Sequence, residues 1–160
     1  MSGWNKPEQW EAYCREETCP VCLRQGPSYI SNVANLRASR LIAHERVALK
    51  GYCCLVVHRH AVEMHDLSPD DAAAFMQDIH AVSRALQTVT GAVKINYEIH
   101  GNTIPHLHMH FFPRHIGDRF EGQPIDWRLV EPPVYQPGEF QEFVAKLRES
   151  LIDTSHPRGK

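Results

Sequence analysis

Between residues 72 and 89, apolar side chains recur every three or four positions, as Ala72, Phe75, Met76, Ile79, Val82, Leu86 and Val89. That period predicts an amphipathic helix of about six turns whose stripe packs into a core. Ser68-Pro69-Asp70-Asp71 supplies its start, with a capping hydroxyl, a proline suited to the first turn and acids at the positive helix end. Gly91 supplies its stop. Elsewhere the period is two. Val93, Ile95, Tyr97 and Ile99 alternate with Lys94, Asn96, Glu98 and His100, which predicts a half-buried strand over 93–99. Leu107, Met109 and Phe111 alternate with His106, His108 and His110, so a strand here sets three imidazoles on one face. After a turn at Gly51, the apolar run 52–57 predicts a central strand covered on both faces.

Weaker patterns complete the chain. Residues 29–33 and 36–43 suit short strands, residues 5–15 a short helix with Trp10 and Tyr13 inward, and residues 139–152 a terminal helix. The Pro-rich stretch from Pro124 to Pro137 carries Trp127 and Tyr135, candidates for covering a pocket or a partner. No internal repeat or second unit is visible. The expectation is an α+β fold over 1–160, an antiparallel sheet with one long helix and smaller flanking helices.

Composition narrows the function. A net charge of −2 opposes strong nonspecific nucleic-acid binding, which needs a cationic surface. It leaves room for a local basic pocket of histidines and Arg114. The opening residues lack the apolar core of a signal peptide. No apolar run approaches the roughly 20 residues needed to cross a bilayer. Five cysteines form no spaced disulfide framework, so reduced thiols and a cytoplasmic location are expected.

The chemistry concentrates in two places. Each imidazole of the histidine strand can bond phosphate, bind metal or move protons near neutral pH. The stretch is internal and well patterned, unlike an appended tag. Before it, Gly101 permits inward-turned amides. Asn102 and Thr103 offer short polar side chains, which would serve equally as turn residues, and Asn96 sits on the preceding strand. Such a pocket can hold a phosphate while one imidazole attacks phosphorus, giving a covalent phosphoramidate. The second place is Cys19-Pro20-Val21-Cys22, a tight knuckle able to grip a metal. A redox pair is the alternative, without the strand-to-helix setting that such pairs favour. A closed zinc site needs four ligands, and His58, His60, His65, His100 and His106 are all available to complete one. Cys53 and Cys54 read as buried packing residues, and Cys14 has no evident role.

Residues 101–114, Gly-Asn-Thr-Ile-Pro-His-Leu-His-Met-His-Phe-Phe-Pro-Arg, resemble the signature of the histidine triad (HIT) family of nucleotide-binding hydrolases and transferases. Leu55-Val56-Val57-His58-Arg59-His60 is similar to the family strand that ends in a basic pair and a histidine, and the likeness spans about 15–115. The resemblance implies His108 as nucleophile and His110 as phosphate contact and proton donor. Asn96, Asn102 and Thr103 are implied as substrate contacts. Family members with an N-terminal C-x-x-C imply a structural zinc on Cys19, Cys22, His60 and His106. Glu45 stands nearest to the place where many relatives carry a ribose-binding aspartate. The function implied is hydrolysis of nucleoside phosphoanhydrides or phosphoramidates, the dinucleoside polyphosphate or nucleoside phosphoramidate class, through a nucleotidyl-histidine. A nucleotidyltransferase or phosphorylase, or a non-catalytic nucleotide-binding module, is the alternative. A homodimer is implied as well.

Overall fold

The computed structural model describes residues 3–126 and 134–154, so Trp127 lies outside the described residues. The elements in chain order are α1 (Pro7–Tyr13), β1 (Ile30–Asn35), β2 (Ser39–His44), β3 (Cys53–Val57), α2 (Pro69–Thr90), β4 (Lys94–Glu98), β5 (His108–Arg114) and α3 (Glu139–Thr154). The five strands form one antiparallel sheet in the order β1-β2-β3-β5-β4. The fold is therefore α+β.

α2 begins and ends where its termini have chemical reasons to do so. The Ser68 hydroxyl accepts from the Asp71 amide at 3.2 Å, and Pro69 opens the first turn. Gly91 closes it with φ of 66°, a conformation that glycine adopts without Cβ strain. The buried face carries Phe75, Ile79, Val82 and Leu86, as the period predicts. Met76 does not join them and is 56% exposed. Ala74, Asp78 and Ala85 are buried instead, so the buried face is turned slightly from the sequence stripe. Asp78 is the polar member, and its carboxylate accepts from the Ala38 amide at 2.9 Å and the Ser39 hydroxyl at 2.7 Å. It thereby ties the β1–β2 hairpin to the helix.

Strand alternation divides the sheet into two faces. Leu41, Ala43, Cys53, Leu55, Val57, Ile95, Leu107 and Phe111 pack with α2 and α3 in the main core. Burying each large aliphatic side chain contributes about 2 kcal/mol. β3 is buried throughout, as a central strand covered on both sides should be. α1 is shorter than its sequence pattern and buries no residue fully, with Trp10 and Tyr13 half-buried. Tyr135 is buried against Phe140 at 5.3 Å between ring centroids and accepts from the Gly51 amide at 2.7 Å. It serves the core and not a pocket.

Candidate active site and metal centre

His106 stands outside the β5 ladder. Its amide donates back to the Ile104 carbonyl at 2.9 Å, a tight turn after Pro105 that swings the ring toward the end of β3. There its Nε2–H donates to the Val57 carbonyl at 2.9 Å, leaving the Nδ1 lone pair facing the Sγ atoms of Cys19 and Cys22, both at 3.5 Å. His60 is held the same way. Its Nε2–H donates to the Cys14 carbonyl at 2.8 Å, and Nδ1 lies 3.4 Å from Cys22 Sγ. One atom from each of the four residues lies within 4.8 Å of the others. Two thiols and two correctly oriented imidazoles make a donor set suited to tetrahedral zinc, with the outer N–H groups already satisfied. Burial pushes the Cys22 thiol up to about 12, reinforced by Cys19, and pushes His106 down to about 4. The knuckle is held over the sheet by Arg40, whose guanidinium donates to the Val21 carbonyl at 3.2 Å. Cys14, without a role in the sequence, contributes its carbonyl.

His108 and His110 occupy the sheet face opposite the helices, with ring centroids 4.7 Å apart. His108 Nδ1–H donates to the His106 carbonyl at 2.6 Å, which leaves Nε2 as the unprotonated nitrogen. His110 Nδ1 lies 2.6 Å from the Tyr52 hydroxyl. Burial raises the Tyr52 phenol well above its ordinary range, so it stays protonated and donates to Nδ1. His110 then carries its hydrogen on Nε2. Burial, with His108 next, pushes His110 down to about 3, and burial lowers His108 as well. Both rings are neutral near pH 7.

Both histidines line a cavity of about 620 Å³ with Gly101, Asn102 and Thr103. Gly101 has φ of 74°, as an inward-turning loop requires. The Gly3 amide donates to the Asn102 carbonyl at 2.6 Å, so the N-terminal segment braces this loop. The cavity also includes Tyr29, His44, Arg46, Tyr52 and Phe112, which the sequence did not single out. The Arg46 guanidinium lies 5.5 Å from the Tyr29 ring centre. His44 is pushed down to about 4 by burial, and its buried Nε2 has no partner among the described residues.

Three expected residues sit elsewhere. Asn96 shares the histidine face but lies behind Phe112, its strand partner, and its Oδ1 accepts from Arg114 at 3.0 Å. It lines a separate cavity of about 540 Å³. Arg114 is bound by Asp118 at 2.7 and 2.9 Å and lines that second cavity, not the histidine pocket. Glu45 is exposed and does not line the nucleotide-sized cavity, whereas its neighbour Arg46 does.

Comparison with known proteins matches this sheet and its histidine strand to one family. The HIT domain model matches residues 31–117. A histidine triad protein from Bradyrhizobium japonicum is 30% identical, over 77% of this chain and 91% of that one, with a TM-score of 0.69. A histidine triad protein from Sinorhizobium meliloti is 25% identical over 76% and 90%, with a TM-score of 0.67. A Zn-bound histidine triad family protein from Mycobacterium smegmatis is 20% identical over 89% and 100%, with a TM-score of 0.65. No curated protein sequence matches. The chain belongs to the HIT domain family. No helix among the described residues is long and apolar enough to cross a membrane.

Proposed function

We propose that this chain is a nucleotide hydrolase that cleaves a phosphoanhydride or phosphoramidate bond of a nucleoside monophosphate derivative. The carrying observation is the 2.6 Å bond from His108 Nδ1–H to the His106 carbonyl, which presents an unprotonated Nε2 at the cavity. Nε2 attacks the α-phosphorus, the P–N bond to the ring forms, and the P–O or P–N bond to the leaving group breaks. Water then cleaves the nucleotidyl-histidine, releasing the monophosphate and restoring His108. His110 Nε2–H bonds a phosphate oxygen, and Asn102 and Thr103 contact the phosphates from the loop. Tyr29 and Phe112 offer apolar faces for a base, and Arg46 offers a cation beside it.

The cysteine–histidine geometry, and the Zn-bound state of the Mycobacterium smegmatis relative, support zinc on Cys19, Cys22, His60 and His106. Four protein ligands leave no open position, so the metal would cross-link the N-terminal knuckle to the catalytic strand. It takes no part in the reaction steps. The N-terminal segment and α3 belong to the same unit as the histidine core. A cytoplasmic location suits the five unpaired thiols. Homodimerisation would use β4, an edge strand with Tyr97 45% exposed, together with the outward face of α2.

Mass spectrometry of protein quenched during turnover of dinucleoside polyphosphates and nucleoside phosphoramidates tests the mechanism. A nucleoside monophosphate adduct on His108 is expected, and turnover without one on any histidine would overturn it. Nucleoside diphosphate appearing when inorganic phosphate is added would mark a phosphorylase, and tight binding without turnover a binding module.

A further inference from the structure

The two adjacent thiols of β3 point to opposite faces of the sheet. Cys53 faces the helices and packs in the main core. Cys54 faces the histidines and is paired in register with His110. It is 3% exposed, and among the described residues its sulfur has one weak hydrogen-bond partner, the neighbouring Leu55 carbonyl at 3.9 Å. Any small apolar residue would fill this position, yet sulfur brings a donor atom. One ligand atom each from Cys54, His108 and His110 lies within 4.8 Å of the others. Tetrahedral zinc with ordinary bond lengths separates its donors by about 3.5 Å, so side-chain shifts on the order of an ångström close the set. One thiolate and two imidazoles form a borderline-soft donor set of the kind that selects zinc. Three protein ligands leave a fourth position, and two of these three residues line the large cavity.

We propose that Cys54, His108 and His110 form a second metal site, distinct from the cysteine–histidine knuckle, which binds zinc reversibly through the floor of the cavity. On binding, the Cys54 S–H bond breaks and its proton passes to solvent, the His110 hydrogen moves from Nε2 to Nδ1 where the Tyr52 oxygen accepts it, and the thiolate and the two Nε2 lone pairs bond the ion. No electron is transferred. Where His108 is the nucleophile, the bound ion occupies its ring and silences it. That last clause rests on the hydrolase reading, and the metal site itself does not.

The experiment is equilibrium dialysis of the full chain against buffered Zn²⁺, with metal counted per chain, repeated with Co²⁺ while the near-ultraviolet thiolate-to-cobalt absorption is followed. Two ions per chain are expected, the second with a thiolate band. Cys54→Ala and Cys54→Val should keep the first ion, which shows them folded, and bind the second more than about 100-fold more weakly, since even outer-shell changes cost up to that factor. Cys22→Ala should lose the first ion and keep the second. A single ion in the parent chain, or a second ion that survives both Cys54 substitutions, overturns the proposal. With the same samples, zinc should stop turnover by the parent at concentrations that spare Cys54→Ala. A chain that binds the second ion yet turns over no nucleotide when that ion is withheld would overturn the hydrolase reading and leave the metal site standing.

Discussion

The two cysteine–histidine clusters lie within a few residues of one another along one segment, and they are built for opposite purposes. Around His106, donors come from distant segments: the knuckle, the end of β3 and the turn before β5. Each ring is locked by an N–H bond to a backbone carbonyl, and His106 is 1% exposed. Around His108 and His110, donors come from two paired strands, and both rings open on a cavity. Closure makes the first cluster a fastening. Openness gives the second cluster access to a ligand, so under the proposed function a similar set of residue types would serve chemistry there.

The largest effect expected is on the open side. His108→Ala should lower hydrolysis by roughly 10⁴–10⁶-fold, the range seen when a nucleophile is removed, with the structural zinc retained. Steady-state kinetics with metal analysis would check it, and a loss of zinc alongside activity would blur the distinction between the clusters. Next comes the fastening. Cys22→Ala, or chelation, should remove about 3 kcal/mol of stability, the worth of a ligand present at a hundredfold excess over its dissociation constant. For a chain of this size, that lowers the melting temperature by about 6–12 °C in a calorimetric scan.

A smaller effect belongs to Tyr52. Tyr52→Phe keeps the ring packed against Phe112 at 4.9 Å but removes the donor to His110. Hydrolysis should fall about 10–100-fold in kcat, with KM changed little, because the tautomer of His110 is then unspecified. An equal loss in His110→Ala and in the double variant would show that the two act as one unit.

The most gradual effect comes with acid. His44 and His110 are held down to about 4 and about 3 in the folded chain, whereas both protonate near 6.5 when unfolded. Below pH 6.5 the unfolded state binds more protons, so stability falls as pH drops, by at most about 1.4 kcal/mol per unit for each ring. The fall flattens once the folded rings protonate near pH 4 and 3. Urea midpoints at pH 7, 6, 5 and 4 would show it, and His44→Gln should reduce the slope.

Much of this comparison was legible in the chain because it is local. The period of α2, the alternation of β4 and β5, and the cap at Ser68 each depend on neighbouring residues. The phase of the α2 face was less so, since Met76 is exposed where two surfaces, the sheet and α3, decide which flank is covered. The loop and histidine side of the cavity was legible, and the wall opposite was not. Tyr29, His44 and Tyr52 come from three segments that meet only when β1, β2 and β3 align. Tyr52 carried a signal nonetheless, since it and Cys54 are two apart and share a face once β3 is paired with β5. Arg114 shows the reverse case, a cation beside the motif whose partner Asp118 lies one turn further along and turns it away from the histidines.

His106 serves the two clusters with different atoms. Its ring points to the thiols, while its carbonyl oxygen receives the Nδ1–H of His108. Every amino acid carries that carbonyl, so the instruction that sets the His108 tautomer is written in the main chain and is not carried by the His106 side chain. Replacing the His106 ring would therefore take a donor from the thiols and still leave an acceptor for the His108 ring.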